Sequence, residues 1–228
     1  VLSGLLEQSG VDAVLVVDGG STDGTQEIVQ GLGVELLVQS RPGLGTGLHM
    51  AFEAVDTELV GIVDADGSHD WTAIPRMREV LESGYDYVLG SRYLGPFRYR
   101  GPLRWPWSTS EDDTWLHEWG NLGIVAMAWA LHGYPLHDVM MGMQIWRREA
   151  LDGIRLVETG QVFDAEIKIK LHRAGRRMAE VSVVEPPRLA GDSKLNALTD
   201  GWATARVLVG EWWRGGLRRV RPEKPTNQ

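Results

Sequence analysis

Asp64-Ala65-Asp66 places two carboxylates two residues apart, directly after the apolar run Leu59–Val63. Carboxylates so spaced on a tight turn converge on one ion. Without a cation they would repel by roughly 3 kcal/mol at about 5 Å in an effective dielectric near 20. An oxygen-only ligand set suits Mg²⁺ or Mn²⁺, and either ion would clamp diphosphate oxygens. A solvated acidic turn would use the same residues. An EF-hand is excluded: counted from Asp64, the sixth position is His69 where that loop needs Gly, and the twelfth is Pro75 where it needs Glu.

A second segment, Asp18-Gly19-Gly20-Ser21-Thr22-Asp23-Gly24-Thr25, follows the β-branched run Val11–Val17. A strand-end Asp can accept hydrogen bonds from a nucleobase or ribose, and glycines let backbone approach a ligand closely. A Gly-rich turn with helix caps explains the same residues equally well. A third segment, Arg188-Leu189-Ala190-Gly191-Asp192-Ser193-Lys194, sets Arg and Lys around a Gly/Ser turn. Such a turn suits phosphate, through the guanidinium fork and the ammonium point charge. By itself it also reads as a solvated loop.

Alternating elements must position these residues. Strands are expected over Val11–Val17, Val34–Gln39, Leu59–Val63, Tyr87–Leu89 and Met178–Val184. Helices are expected over Gln26–Leu32, Leu48–Ala54, Ile74–Ser83, Asn121–Leu131, Phe163–Ala174 and Gly201–Trp213. Strand and helix alternate up to Leu89, which predicts an α/β fold with a parallel sheet flanked by helices. Ligands of such sheets bind at the carboxyl ends of strands. Asp18, Asp64, Asp66 and Arg92 all follow an expected strand and should share that edge.

The chain has 228 residues, enough for one α/β domain over 1–213 followed by a basic tail over 214–228. Its net charge of −8 argues against nucleic acid as a partner. From Arg206 to Lys224, however, six Lys/Arg stand against two Glu. Trp212-Trp213 with Arg214, Arg218, Arg219 and Arg221 therefore suits peripheral contact with an anionic membrane. The absence of cysteine excludes disulfides and thiolate metal sites, and fits a reducing cytosol. The longest stretch free of Asp, Glu, Lys and Arg, Trp119–His137, has a strongly apolar part of only ten residues. A spanning helix needs about 20. The six histidines show no metal spacing, and His69 reads as a bystander to the acidic turn.

Taken together, VVDGGSTDGTQEIV, RPGLGTGLHMAF, DADGSHDWTAIP, GSRY, HDVMMGMQIWRREAL, FDAEIKIKLHRAG and RLAGDSKL resemble the family-2 glycosyltransferases. Within these the chain is most similar to the dolichyl- or polyprenyl-phosphate hexose synthases, over about Val1 to Leu208. The resemblance implies a GT-A fold and a direct, inverting displacement at the anomeric carbon of a UDP- or GDP-linked sugar. It implies that Asp18 contacts the donor base, that Asp64 and Asp66 hold Mg²⁺ or Mn²⁺, and that Arg188, Ser193 and Lys194 meet donor phosphate. Arg92 and Asn121 would face the acceptor phosphate, with Asp138 beside it.

The acceptor decides what Asp138 does. A hydroxyl acceptor needs a general base, for which Asp138 leads and Glu166 is the alternative. A phosphomonoester has its second pKa near 6 and is already a nucleophile at pH 7. A soluble acceptor and an inactive nucleotide-sugar-binding protein stay open beside the polyprenyl phosphate. Three departures from the family stand out. Its opening strand with an Asn-Glu turn is not found before Val1, so a sheet lacking that strand is expected. Gly19 stands where Asp or Asn is frequent. The segment Phe97–Trp119 is unusually long and Trp-rich.

Overall fold

The computed structural model describes residues 1–7, 10–94, 115–187 and 197–215. The Arg188–Lys194 segment, residues 95–114 of the Trp-rich segment and the residues beyond Gly215 lie outside the described residues, and Trp115–Trp119 belong to a helix. In chain order the elements are α1 (Leu2–Leu6), β1 (Leu15–Asp18), α2 (Thr25–Gly31), β2 (Glu35–Val38), α3 (Leu44–Ala54), β3 (Leu59–Ile62), α4 (Ile74–Glu82), β4 (Tyr87–Ser91), α5 (Trp115–His132), β5 (Gln144–Arg147), α6 (Phe163–Arg173), β6 (Met178–Ser182) and α7 (Ala197–Gly215). Pro75 sits in the first turn of α4, where its missing N–H leaves no hydrogen bond unmade. The acidic turn leads into α4 through a short 3₁₀ turn, Trp71–Ala73, capped by the Asp70 carboxylate accepting from the Thr72 N–H.

β1 and β2 pair in parallel, Leu15 opposite Glu35 through Asp18 opposite Val38. The other four strands form one sheet in the order β3-β5-β4-β6. β4 and β6 are parallel, whereas β5 runs antiparallel to both its neighbours. The strand–helix alternation thus yields a sheet in which β3, β4 and β6 run in one direction, with one reversed strand, β5, that the apolar pattern does not announce. That reversal has a geometric consequence. Gln144, the first residue of β5, lies opposite both Ile62, the last residue of β3, and Leu89, two residues before the end of β4. The loop that precedes β5, residues 138–143, is therefore delivered to the same carboxyl edge as Asp64 and Arg92.

Every residue of β4 is buried. It is covered by Met77 and Leu81 of α4, with Ile167, Ile169 and Leu171 of α6 in the same core. α3 joins that core through Phe52, whose ring meets Trp146 edge-on at 5.5 Å and Phe163 at 5.8 Å. Close approach of α3 to the chain at Glu158–Thr159 requires glycine: a Cβ on Gly45 would stand 2.5 Å from the Glu158 carbonyl oxygen. α5 and α7 pack against each other, and α6 packs on α7.

Candidate active site

Asp64 and Asp66 sit on the turn just past β3, and that turn is held by hydrogen bonds of its own. The Ser68 N–H and hydroxyl both donate to Asp66 Oδ1, at 2.9 and 2.7 Å. The Asp64 N–H donates to Nδ1 of His69 at 2.9 Å. An acceptor role for Nδ1 puts the proton of the neutral ring on Nε2. That nitrogen lies 3.6 Å from Asp64 Oδ2, and the imidazole is 3% exposed while the Asp64 side chain is 44% exposed. His69 therefore braces the turn from behind and orients a carboxylate that faces solvent. Gly142 closes on the pair from the β5 side. A Cβ there would meet the His69 ring at 3.2 Å and Asp64 Oδ2 at 3.5 Å. An open cleft of about 340 Å³ runs alongside, lined by His69, Asp70, Trp71, Thr72, Val184 and Pro186.

The second acidic residue at a strand end, Asp18, is turned onto its own loop. Its Oδ2 accepts from the N–H groups of Gly20 and Ser21 at 2.9 and 2.8 Å and from Gln26 Nε2 at 2.7 Å, while Oδ1 takes the Ser21 hydroxyl. The Ser21 hydroxyl bond holds this carboxyl below the usual range, against the opposing effect of burial. Gly20 has φ of 94°, a conformation that glycine adopts without strain and that aims its N–H back at Asp18.

At the end of β4, Arg92 is clamped. Its Nε donates to Asp138 Oδ2 at 2.8 Å, and its Nη2 to Asp138 Oδ1 at 2.9 Å, a bidentate fork. Its Nη1 reaches Glu185 Oε2 at 3.1 Å. Asp138 is wholly buried. Burial pushes its carboxyl up, but the Arg92 charge and its hydrogen bonds outweigh that, and the group is held below the ordinary carboxylate range. The loop around it is tied on both sides. Glu180 accepts from the N–H groups of His137 and Asp138 at 2.8 and 3.1 Å. Buried Lys168 donates to the carbonyls of Val139 and Met141 at 2.8 and 2.6 Å. Asn121, on α5, donates through Nδ2 to the His137 carbonyl at 3.3 Å, and its buried Oδ1 has no donor among the described residues.

Asp164, at the start of α6, links the two halves. Its Oδ1 accepts from Gln144 Nε2 at 2.6 Å, and Gln144 Oε1 accepts from the Tyr87 hydroxyl at 2.6 Å. Burial pushes the Asp164 carboxyl up to about 6, with the negative charges of Asp64 and Asp138 adding to the rise and Lys168 opposing it. Glu166, one helical step on, faces elsewhere. It is buried and accepts from the N–H groups of Val157 and Glu158 at 2.8 to 3.0 Å and from Lys170 Nζ at 2.6 Å. Its carboxylate holds the chain segment against which α3 docks.

Of the residues singled out in sequence, the fold brings Asp64, Asp66, Arg92, Asn121 and Asp138 to one sheet edge and commits Glu166 to the 157–158 backbone. Arg188, Ser193 and Lys194 lie outside the described residues. Sequence reasoning missed Gln144, Asp164 and Lys168, and passed over His69. The signal for His69 was its position five residues past Asp64, within reach of the same turn.

Among the described residues no three His, Cys, Asp or Glu side chains gather to hold a metal by themselves. The turn nevertheless fits Mg²⁺ or Mn²⁺. Such ions are held by one or two carboxylates, with waters and substrate phosphates completing the shell. Asp64 is half exposed, so its carboxylate stands where an ion with its own waters and substrate oxygens could reach it.

A parallel-rich α/β sheet with an acidic turn at the carboxyl edge and a basic–acidic clamp beside it is the architecture of a GT-A glycosyltransferase. Solved structures agree. Glucosyl-3-phosphoglycerate synthase from Mycobacterium tuberculosis, crystallised with Mn²⁺, UDP and phosphoglyceric acid, superposes with a TM-score of 0.63 at 19% identity, covering 92% of this chain and 70% of that one. Residues 1–155 match the glycosyl transferase family 2 profile, and the chain belongs to that family. An uncharacterised glycosyltransferase of Mycobacterium tuberculosis is 32% identical over 203 residues, 88% of this chain and 84% of that protein. A dolichyl-phosphate hexose transferase of Haloferax volcanii is 30% identical over 197 residues, 86% of this chain and 79% of that one.

Proposed function

We propose that this glycosyltransferase moves a hexose or N-acetylhexosamine from a UDP- or GDP-linked sugar to a polyprenyl phosphate, with inversion. The observation that carries this reading is the state of Asp138. A hydroxyl acceptor would need a base in reach of its proton, and the leading candidate is sealed from solvent against Arg92. A phosphate acceptor needs none. Its oxygen attacks the anomeric carbon, the bond from that carbon to the donor diphosphate breaks, and the nucleoside diphosphate leaves with the electron pair. Likeness to the dolichyl-phosphate hexose transferase supports the same acceptor class.

Asp64 and Asp66 hold Mg²⁺ or Mn²⁺ in this account, and the ion when bound neutralises charge on the departing diphosphate. His69 fixes the direction of Asp64. Asp18 shapes the Gly-rich turn beneath the base and ribose. Arg188, Ser193 and Lys194 meet donor phosphate. Asp138 aligns Arg92 toward the acceptor, with Asn121 on the facing helix. A second reading, transfer to a soluble hydroxyl acceptor, draws support from Asn121, whose buried Oδ1 would accept from a hydroxyl.

Incubation with UDP- and GDP-hexoses, Mn²⁺ and a short-chain polyprenyl phosphate distinguishes the two. The expected result is a lipid-linked hexose formed in step with nucleoside diphosphate. Transfer confined to soluble hydroxyl acceptors would overturn the polyprenyl reading.

A further inference from the structure

The helices that wall the acceptor end of the site turn an unusual face outward. On α7, Trp202, Arg206, Val209 and Trp213 recur every three or four residues and so share one side. Trp202 is 76% exposed and Trp213 80%. Trp129, on α5, is 58% exposed, and α5 carries no Asp, Glu, Lys or Arg from Trp119 to its end. The one carboxylate of α7 between Gly201 and Gly215, Glu211, is turned inward, buried, and paired with Arg173 at 3.0 Å and Arg214 at 2.9 Å. On a chain of net charge −8, this outward face, from Trp119 to His132 of α5 and from Gly201 to Gly215 of α7, has tryptophan and arginine and no exposed acid among the described residues.

Side chains of this kind select a lipid surface. The indole ring is apolar over most of its body and polar at one edge, which suits the headgroup region of a bilayer. Association of two copies across the same face would bury Arg206 with no carboxylate of the face to answer it, whereas anionic headgroups supply that charge. The inner sides of the same helices reach the acceptor loop. The Thr204 hydroxyl of α7 lies 3.3 Å from the Met140 sulfur, and Asn121 of α5 holds the His137 carbonyl. Among the described residues no helix is long and apolar enough to cross a membrane.

We propose that α5 and α7 together form a contact face for anionic membrane, seated through Trp129, Trp202 and Trp213 with Arg206. The contact is thereby carried by helices of the folded domain rather than by the basic tail alone. The proposal deepens the acceptor assignment and rests on it for one point, that the bilayer is where the polyprenyl phosphate is met.

Co-sedimentation of the full chain with vesicles of phosphatidylglycerol and phosphatidylcholine, at low and high salt, is the test. The intact protein is expected to bind at low salt and release at high salt. The W202S/W213S double variant should partition roughly tenfold less, as should R206E, which leaves every tryptophan in place and guards against a folding defect in the first. Release of nucleoside diphosphate from the donor in solution, with water as acceptor, should be unchanged in both. If the wild type binds vesicles yet never turns over a donor, the membrane face stands and the assignment of the site fails. If the wild type ignores anionic vesicles at low salt, or both variants bind as well as it does, the proposal is wrong. It is equally wrong if light scattering shows a dimer that W202S/W213S dissociates, because the face then joins two copies of this chain.

Discussion

Asp64→Asn and Asp66→Asn are each expected to reduce turnover by about a thousandfold, near 4 kcal/mol of transition-state stabilisation. An Asn keeps the size and the acceptor oxygen, so the Ser68 bonds to position 66 and the His69 contact at position 64 survive in outline. What goes is charge. The leaving diphosphate is the most negative group in the reaction, and an uncharged turn has little hold on the cation that would offset it. Removing one carboxylate should also relieve repulsion at this edge, so neither variant is expected to lose stability. Steady-state rates across a Mn²⁺ titration, with thermal melts alongside, check both halves. Variants that keep the wild-type rate and metal requirement would show that the turn is merely solvated.

Arg92→Ala is expected to destabilise the fold by about 3–5 kcal/mol, the cost of stranding a buried charge. The fork to Asp138 is completely enclosed on the carboxylate side, and Lys168 lies too firmly on the Val139 and Met141 carbonyls to replace it. For contrast, the Arg147–Glu58 pair at 2.9 Å has Glu58 81% exposed, and its loss should amount to less than about 1 kcal/mol. The pH dependence follows from the direction of the Asp138 shift. Its folded-state pKa lies below its unfolded value. The pair thus contributes fully above about pH 4 and loses its contribution as pH falls through the folded value. Urea denaturation of wild type and Arg92→Ala at neutral pH and near pH 3 measures this. A gap that stays constant across that range, or one below about 1 kcal/mol, would mean the pair is not what holds the acceptor loop.

Much of this edge was legible from the apolar pattern. β-branched runs ending in Asp18 and Asp64 gave strands whose carboxyl ends carry those residues, and Tyr87–Leu89 led correctly to Arg92. β5 escaped because Gln144-Ile145-Trp146-Arg147 is short and has no apolar alternation, although both its ends are polar for reasons visible only in the fold. Gln144 bridges Tyr87 and Asp164, and Arg147 meets Glu58. Lys168 stands between two isoleucines, and nothing local announces its role, yet α6 is buried nearly all round and the ammonium is spent on backbone carbonyls. α3 starts at Leu44 rather than Leu48 because Gly45 and Gly47, which read as loop, are the small residues that let the helix approach its neighbours. The Arg92–Asp138 pair spans 46 residues, and no local pattern links its members. Pairing of that kind is set by sheet order, and the order depends on the strand that was missed.

The central claim is that Asp64 and Asp66 bind a nucleoside diphosphate sugar through a divalent cation, and thermal unfolding in the presence of donor tests it most directly. UDP- and GDP-sugars, each near a hundredfold above their dissociation constants, should stabilise the wild type by about 2.7 kcal/mol with Mn²⁺ present, a rise of roughly 5–10 °C for a chain of this size. The shift should vanish in EDTA and in the Asp64→Asn variant for whichever donor produced it. A shift of equal size in EDTA, or none with any nucleotide sugar, would contradict the account.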